Sequence, residues 1–167
     1  MKKWNRSFLF GGIALFCCVS SHAQSTDREG VLEAVNLLIQ SINTDNLELM
    51  ARVTREDGMN FILVEESDGS YTTKSRAQSE YLDPGEKSTQ KFEERIWNPK
   101  VLLDGPVAVV WADYDFHVDD KFSHCGVDVF NLIKDEGVWK VANMTWTVQY
   151  TDCAPSPFTQ AEVLTAD

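Results

Sequence analysis

Val107-Ala108-Val109-Val110-Trp111-Ala112-Asp113-Tyr114-Asp115-Phe116-His117-Val118 is the stretch on which the fold turns. Its even positions (Ala108, Val110, Ala112, Tyr114, Phe116, Val118) are all apolar or aromatic, whereas the odd ones end in Asp113, Asp115 and His117, with Asp119 beyond. A period of two with one apolar face is a β-strand laid on a core. The acidic positions Asp113, Asp115, Asp119 and Asp120 are hard-cation ligand types, but i, i+2 spacing on a strand makes a solvated outer face rather than a calcium loop. No metal site is expected.

Working outward, three more long strand patterns flank this one: Lys91 to Leu103, Phe122 to Ile133 and Val138 to Tyr150. The links are Asp104-Gly105-Pro106, Asp119-Asp120-Lys121 and Asp135-Glu136-Gly137, short enough to dictate an antiparallel meander. Upstream the period changes. Thr26 and Glu29 have capping-box spacing, and Val31, Val35, Leu38 and Ile42 recur on one helical face as far as Asn43. Asp45 and Glu48 repeat the signal ahead of Leu47, Leu49 and Met50, predicting a short second helix. Met59 to Glu65 reads as a strand, Asp68-Gly69 as a turn, and Ser75 to Leu82 as a third helix stopped by Asp83-Pro84-Gly85. Helices first and a curled antiparallel sheet after them give an α+β class, with the first helix supplying the apolar face that the sheet wraps.

The ends carry different messages. Lys2, Lys3 and Arg6, the apolar stretch Phe8 to Val19 and the exit Ser21-His22-Ala23 predict a cleavable secretory signal over residues 1–23. Leu15-Phe16 before Cys17 and Cys18 does not suit a lipid anchor. A single domain over 24–153 and a loosely ordered tail over 154–167 are expected, in the periplasm or outside the cell. The mature charge would be 12 − 26 = −14, since the leader holds three basic and no acidic residues. That acidity argues against nucleic acid as a partner and favours solubility or the steering of a cationic ligand. Cys125 and Cys153 would remain in a compartment that permits disulfides. Cys125 within a strand and Cys153 just past the next are not opposite positions in a simple hairpin, so a bridge and a buried Cys125 with a free Cys153 both stay open. Two histidines and no C-x-x-C pair make structural zinc a poor fit.

The runs 109–116, Ser123-His124-Cys125-Gly126-Val127-Asp128-Val129-Phe130 and Gly137-Val138-Trp139-Lys140-Val141, set in this order of elements, resemble the nuclear transport factor 2-like superfamily. Within it the similarity is nearest to the SnoaL-like branch, some of whose members are labelled lumazine-binding. The resemblance covers about residues 27–150. It implies a cystatin-like cone with a pocket between sheet and helices, and a homodimer through the sheet. It specifies no cofactor and no activity, because the superfamily hosts isomerases, cyclases, hydrolases and binding modules.

With three-residue loops, Val118 pairs with Phe122 and Lys134 with Val138, and three rows cross the strands: Ala112, Asp128, Met144; Tyr114, Gly126, Trp146; Phe116, His124, Val148. Gly126 then leaves a gap between two rings, and His124 and Asp128 supply polar points on an apolar wall, as a small-molecule site needs. A one-residue change in the first loop would set His117 against His124 and Asp113 against Asp128. His124 and Asp128 lie four apart, roughly 13 Å along a strand, and are not a hydrogen-bonded dyad.

The candidate ligand-binding residues are Tyr114, Phe116, His124, Asp128, Trp146 and Trp97, and the candidate proton-transfer residues are Asp128 and His124. Asp128 is expected to be held by a backbone amide or by Tyr114, and Trp139 to pack its hairpin. No Ser-His-Asp order, phosphate loop or dinucleotide fingerprint supports hydrolase, kinase or dehydrogenase chemistry. Three functions remain: a module binding a small, partly aromatic or apolar molecule, an isomerase- or cyclase-like enzyme, and a dimerisation or interaction module without a ligand.

Overall fold

The structure, a computed structural model, describes residues 19–86 and 88–158. Residues 1–18 of the expected leader and the tail beyond 158 lie outside them. Helix α1 is Val19–Asn43 and α2 is Leu47–Val53; strands β1, Met59–Glu65, and β2, Tyr71–Ala77, precede the four-residue helix α3, Gln78–Tyr81, and a 3-10 turn at Pro84–Glu86. The meander follows as β3 (Phe92–Asp104), β4 (Val107–Val118), β5 (Lys121–Asp135) and β6 (Val138–Val148). All six strands form one curved sheet in the order β2-β1-β6-β5-β4-β3. The class is α+β as expected, but the sheet is mixed: β1 runs parallel to β6, Phe61 opposite Thr145 through Val64 opposite Val148.

Three local expectations are corrected. Thr26 lies inside α1, which already runs from Val19, so it is not the helix cap in the full chain. The cap of α2 is Asn46, whose side chain accepts from the Leu49 amide, while Asp45 takes a positive φ of 48° in the turn before it. Ser75 to Ala77 belong to β2 and leave α3 only from Gln78 to Tyr81. β2 escapes a burial-based reading because it is an edge strand with little buried on either face, held by its hairpin with β1.

The core lies between α1 and the inner face of the meander. Val31, Val35 and Leu38 of α1 pack with Ala108, Val110, Phe130, Leu132 and Val141 of the sheet, all buried. Trp139 joins α1 to the sheet rather than closing its own hairpin. A Cβ on Gly30 would come within 2.9 Å of the Trp139 ring, so only glycine admits the indole there. Asp27 accepts from the Trp139 indole and pairs with Lys134, tying the same end of α1 to β5 and β6.

Register is set by two-residue turns and two bulges. Asp119 and Asp120, at φ 51° and 62°, join Val118 to Lys121, and Glu136 and Gly137, at φ 49° and 83°, join Asp135 to Val138. Both are tight primed turns, one residue shorter than expected. In β5 the extra Ser123 between Phe122 and His124 restores the offset, so Ala112 faces Asp128, Tyr114 faces Gly126 and Phe116 faces His124. In β6 the short turn and the extra Ala142 add, so the row slips by two: Asp128 faces Trp146, and Met144 faces Phe130. A slip of two keeps the same face inward.

Cys125 and Cys153 form a disulfide. They are not opposite in a hairpin, as the sequence indicates: Gln149 is the residue that pairs with Cys125, and the chain then turns through Asp152, at φ 55°, to bring Cys153 back.

Candidate functional site

A cavity of about 450 Å³ opens between the inner face of the sheet, α1, α2 and α3. Its apolar wall comes from Leu38 and Ile42 of α1, Met50 of α2 and Met144 of β6. Tyr114, Phe116, His124, Asp128 and Trp146 all line it. Trp97 does not. A bulge between Trp97 and Lys100 reverses the facing of β3, and Trp97, opposite Asp113, is buried on the outer side of the sheet with Phe158 edge-on at 6.2 Å.

Sequence reasoning missed Glu94. It follows Phe92 on the inward parity of β3, is 7% exposed, and lines the same cavity as Asp128, which is 1% exposed. The signal lay in Phe92, Glu94 and Ile96 sharing a face, but nothing in the chain marks a lone glutamate on a strand as inward. Asn43, at the end of α1, fixes it from behind: its side chain donates to the Glu94 carbonyl at 2.8 Å and accepts from the Glu94 amide at 2.6 Å.

The two carboxyl groups are in hydrogen-bonding contact with each other. No other donor of the protein reaches the buried Oδ2 of Asp128, so the pair must hold a proton. Burial pushes Glu94 up to about 7, against which its hydrogen bond from Asp128 works, and burial together with the nearby Glu94 holds Asp128 well above the usual carboxylate range. The pair as a whole therefore keeps a proton to a higher pH than ordinary carboxyl groups do. Tyr114 is not the partner expected for Asp128. Its hydroxyl donates to the Thr147 carbonyl at 2.6 Å, and burial raises its pKa. That same carbonyl fills the space over Gly126: a Cβ there would sit 2.2 Å from the Thr147 oxygen. Gly126 thus admits the backbone of β6 rather than a ligand between two rings.

His124 stacks on Phe116 at 4.9 Å between ring centroids, meets Tyr114 edge-on at 5.8 Å, and has Ser123 Oγ 3.0 Å from its Nδ1. Burial lowers its pKa, so it is a neutral imidazole in the wall. A second polar pair faces the cavity from β1 and α3. Asn60 donates to Gln78 at 2.8 Å and accepts from the Met144 amide at 2.8 Å, leaving both amides held. At the mouth Arg76 lies over the Tyr81 ring at 4.3 Å and 3.5 Å from Glu80, and the exposed Asp45 and Asp83 also line the cavity.

The outer acidic face is less solvated than its spacing suggests. Asp115 is buried and takes two bonds from Arg95, at 2.7 and 2.8 Å, with His117 alongside. Among the described residues no group of three or more His, Cys, Asp or Glu side chains is arranged to hold a metal.

The α+β architecture is similar to that of several solved structures. A protein of unknown function from Shewanella baltica, described as nuclear transport factor 2-like, aligns over 76% of this chain and 97% of its own at 16% identity and a TM-score of 0.53. The chain has the nuclear transport factor 2-like fold. A protein from Nostoc punctiforme described as having a cystatin-like fold aligns over 76% of this chain and 94% of its own (11% identity, TM-score 0.57), and a type 2 hexachlorocyclohexane dehydrochlorinase over 82% and 97% (9% identity, TM-score 0.58). No protein-family model and no curated protein matches the sequence. At these identities the nuclear transport factor 2-like likeness carries the fold and does not single out the SnoaL-like or lumazine-binding branch.

Proposed function

We propose that this is an exported protein that binds a small, partly aromatic or apolar molecule inside the nuclear transport factor 2-like cone. One observation carries the reading: an apolar cavity of about 450 Å³, within the range of small-molecule sites, has a proton-sharing carboxyl pair in its wall and aromatic rings around it. Burying two carboxyl groups together costs stability, and costs of that kind cluster at functional sites. Native mass spectrometry of the exported chain tests this. A small adduct should accompany the wild type and be lost from a Trp146→Ala, Asp128→Asn double variant that keeps its near-ultraviolet circular dichroism. Wild-type protein that never carries or takes up a small molecule would sink the reading.

Export is supported by the leader pattern of residues 1–23 and by the Cys125–Cys153 bridge, which suits an oxidising compartment. Cleavage after Ala23 would also bring Thr26 and Glu29 into the first turn of α1, where their capping spacing has a use.

The carboxyl pair itself favours a second reading, proton-transfer catalysis. A glutamate that ionises near neutrality beside a protonated aspartate supplies a base and an acid in one dry site. The fold is compatible with such chemistry, since one solved structure that shares it is a dehydrochlorinase. A turnover with a bell-shaped pH profile, abolished by either Glu94→Gln or Asp128→Asn, would establish it. His124, neutral and stacked, is then a wall residue rather than the base.

A homodimer through the outer face of the sheet is also proposed. Lys100, Trp111, Val129, Thr145 and Phe61 face one another in one row across five strands, and Trp111 and Phe61 are 47% and 41% exposed.

A further inference from the structure

We propose that the molecule taken into the cavity is an organic cation, an amine on an aromatic or apolar frame, whose positive centre sits against Glu94 and Asp128. This rests on the pocket reading above and narrows it to one charge class.

The argument starts from what the wall offers a charge. Asp128 is 1% exposed, and its Oδ2 has no donor from any amide, hydroxyl or cationic side chain. Once the pair gives up a proton, its buried negative charge faces the cavity with only the partner carboxyl to donate to it and no cationic side chain acting on either group. A ligand cation is the complement. Arg76 is the one cation among the described lining residues, and it is drawn to Glu80 and the Tyr81 ring at the mouth. Asp45, Glu80 and Asp83 make the rim mostly acidic. An anion would have to pass that rim and bury itself beside two carboxyls. A cation is drawn inward by the rim and by the net charge of −11 of the chain, and meets a wall that includes the aromatic rings of Tyr114 and Trp146.

The coupling to protons follows from the same geometry. Below about pH 7 the pair is neutral and an entering cation must expel a proton from it; above that, Glu94 is already ionised. Other groups facing the pair do not confuse this window. Tyr114 from β4 and Tyr81 from α3 are both raised by burial, and His124 from β5 is lowered and stays neutral. Arg76 comes from β2 and is held by Glu80 and the Tyr81 ring, while α1, β1 and β6 bring no titratable side chain to the cavity.

Isothermal titration calorimetry with three probes on one indole frame, tryptamine, tryptophol and indole-3-acetate, tests the proposal. Tryptamine should bind at least tenfold more tightly than either analogue. Its affinity should rise by about tenfold per pH unit up to about 7 and level off above, with close to one proton released per ligand at pH 6 and almost none at pH 8.5. Glu94→Gln, and independently Asp128→Asn, each checked for native near-ultraviolet circular dichroism, should abolish both the preference and the proton release. Tryptophol binding as tightly as tryptamine would overturn the charge assignment and leave the pocket standing. Tryptamine preference that survives both variants would overturn the role of the pair. No binding of any probe at millimolar concentration would count against the pocket itself.

Discussion

Glu94 is one half of the buried carboxyl pair in the cavity wall, and it costs the fold stability. Its carboxyl ionises at about 7 in the folded protein and near 4.5 when unfolded, so between those values the folded state holds more protons. Stability contributed by this group is therefore complete below pH 4.5 and lost as pH rises to about 7. The loss is on the order of 3 kcal/mol for a group raised from 4.5 to about 7. Urea unfolding of the unliganded wild type and Glu94→Gln, compared from pH 4.5 to 8, should show the variant gaining on the wild type across that window. Parallel curves would mean that Glu94 titrates normally. At this scale legibility was uneven. Asp128, His124, Tyr114 and Phe116 could be placed from parity because their strands alternate cleanly, whereas Glu94 could not, since its strand neighbours Glu93 and Arg95 are charged too and mask its facing. Trp97 was a candidate on aromatic character alone, and its pairing with Asp113 puts it on the outer side.

Elements were more legible than their joints. Val107–Val118 and Met59–Glu65 coincide with the strands expected, because hydrophobic period and turn residues agree there. The turns between strands were harder: aspartate at positive φ is uncommon, so Asp119-Asp120 does not announce a two-residue turn, and bulges at Ser123 and Ala142 leave no mark in composition. The facing of every inner row survived because the errors in β5 cancelled and those in β6 summed to two. The disulfide was undecidable for a related reason, since the turn at Tyr150–Asp152 that returns Cys153 lies outside any regular element. That bridge closes a separation of 28 residues, for which chain entropy alone gives about 3–4 kcal/mol. Cys153→Ser should lower the unfolding free energy by an amount of that order while leaving the cavity intact, since Cys125 lies on the odd, outward parity of β5. Thermal unfolding with and without reductant checks it: reductant should bring the wild type down to the variant and leave the variant unchanged.

For the molecule as a whole, the outer face of the sheet divides into two territories. One end, around Arg95 and Trp97, is covered by its own chain: Phe158 stands edge-on to Trp97 and lies 5.2 Å from the Arg95 guanidinium, brought there by the segment that the disulfide pins. The other end carries Trp111, Phe61 and Leu102, exposed by 47%, 41% and 72%, with Val129 between Trp111 and Thr145 in the cross-strand row. Large apolar groups aligned over several strands mark a contact surface more often than isolated ones do. A two-fold contact would place each Trp111 near its symmetry mate or the mate's Phe61, and would leave both cavities, on the opposite face, open. Trp111→Lys puts a charge into that row at a position whose side chain makes no inner-face contact, so it should turn a dimer into a monomer in light scattering behind size exclusion without loss of unfolding cooperativity. A wild type that is monomeric at tens of micromolar would remove the dimer. A variant that stays dimeric would move the interface elsewhere on the molecule.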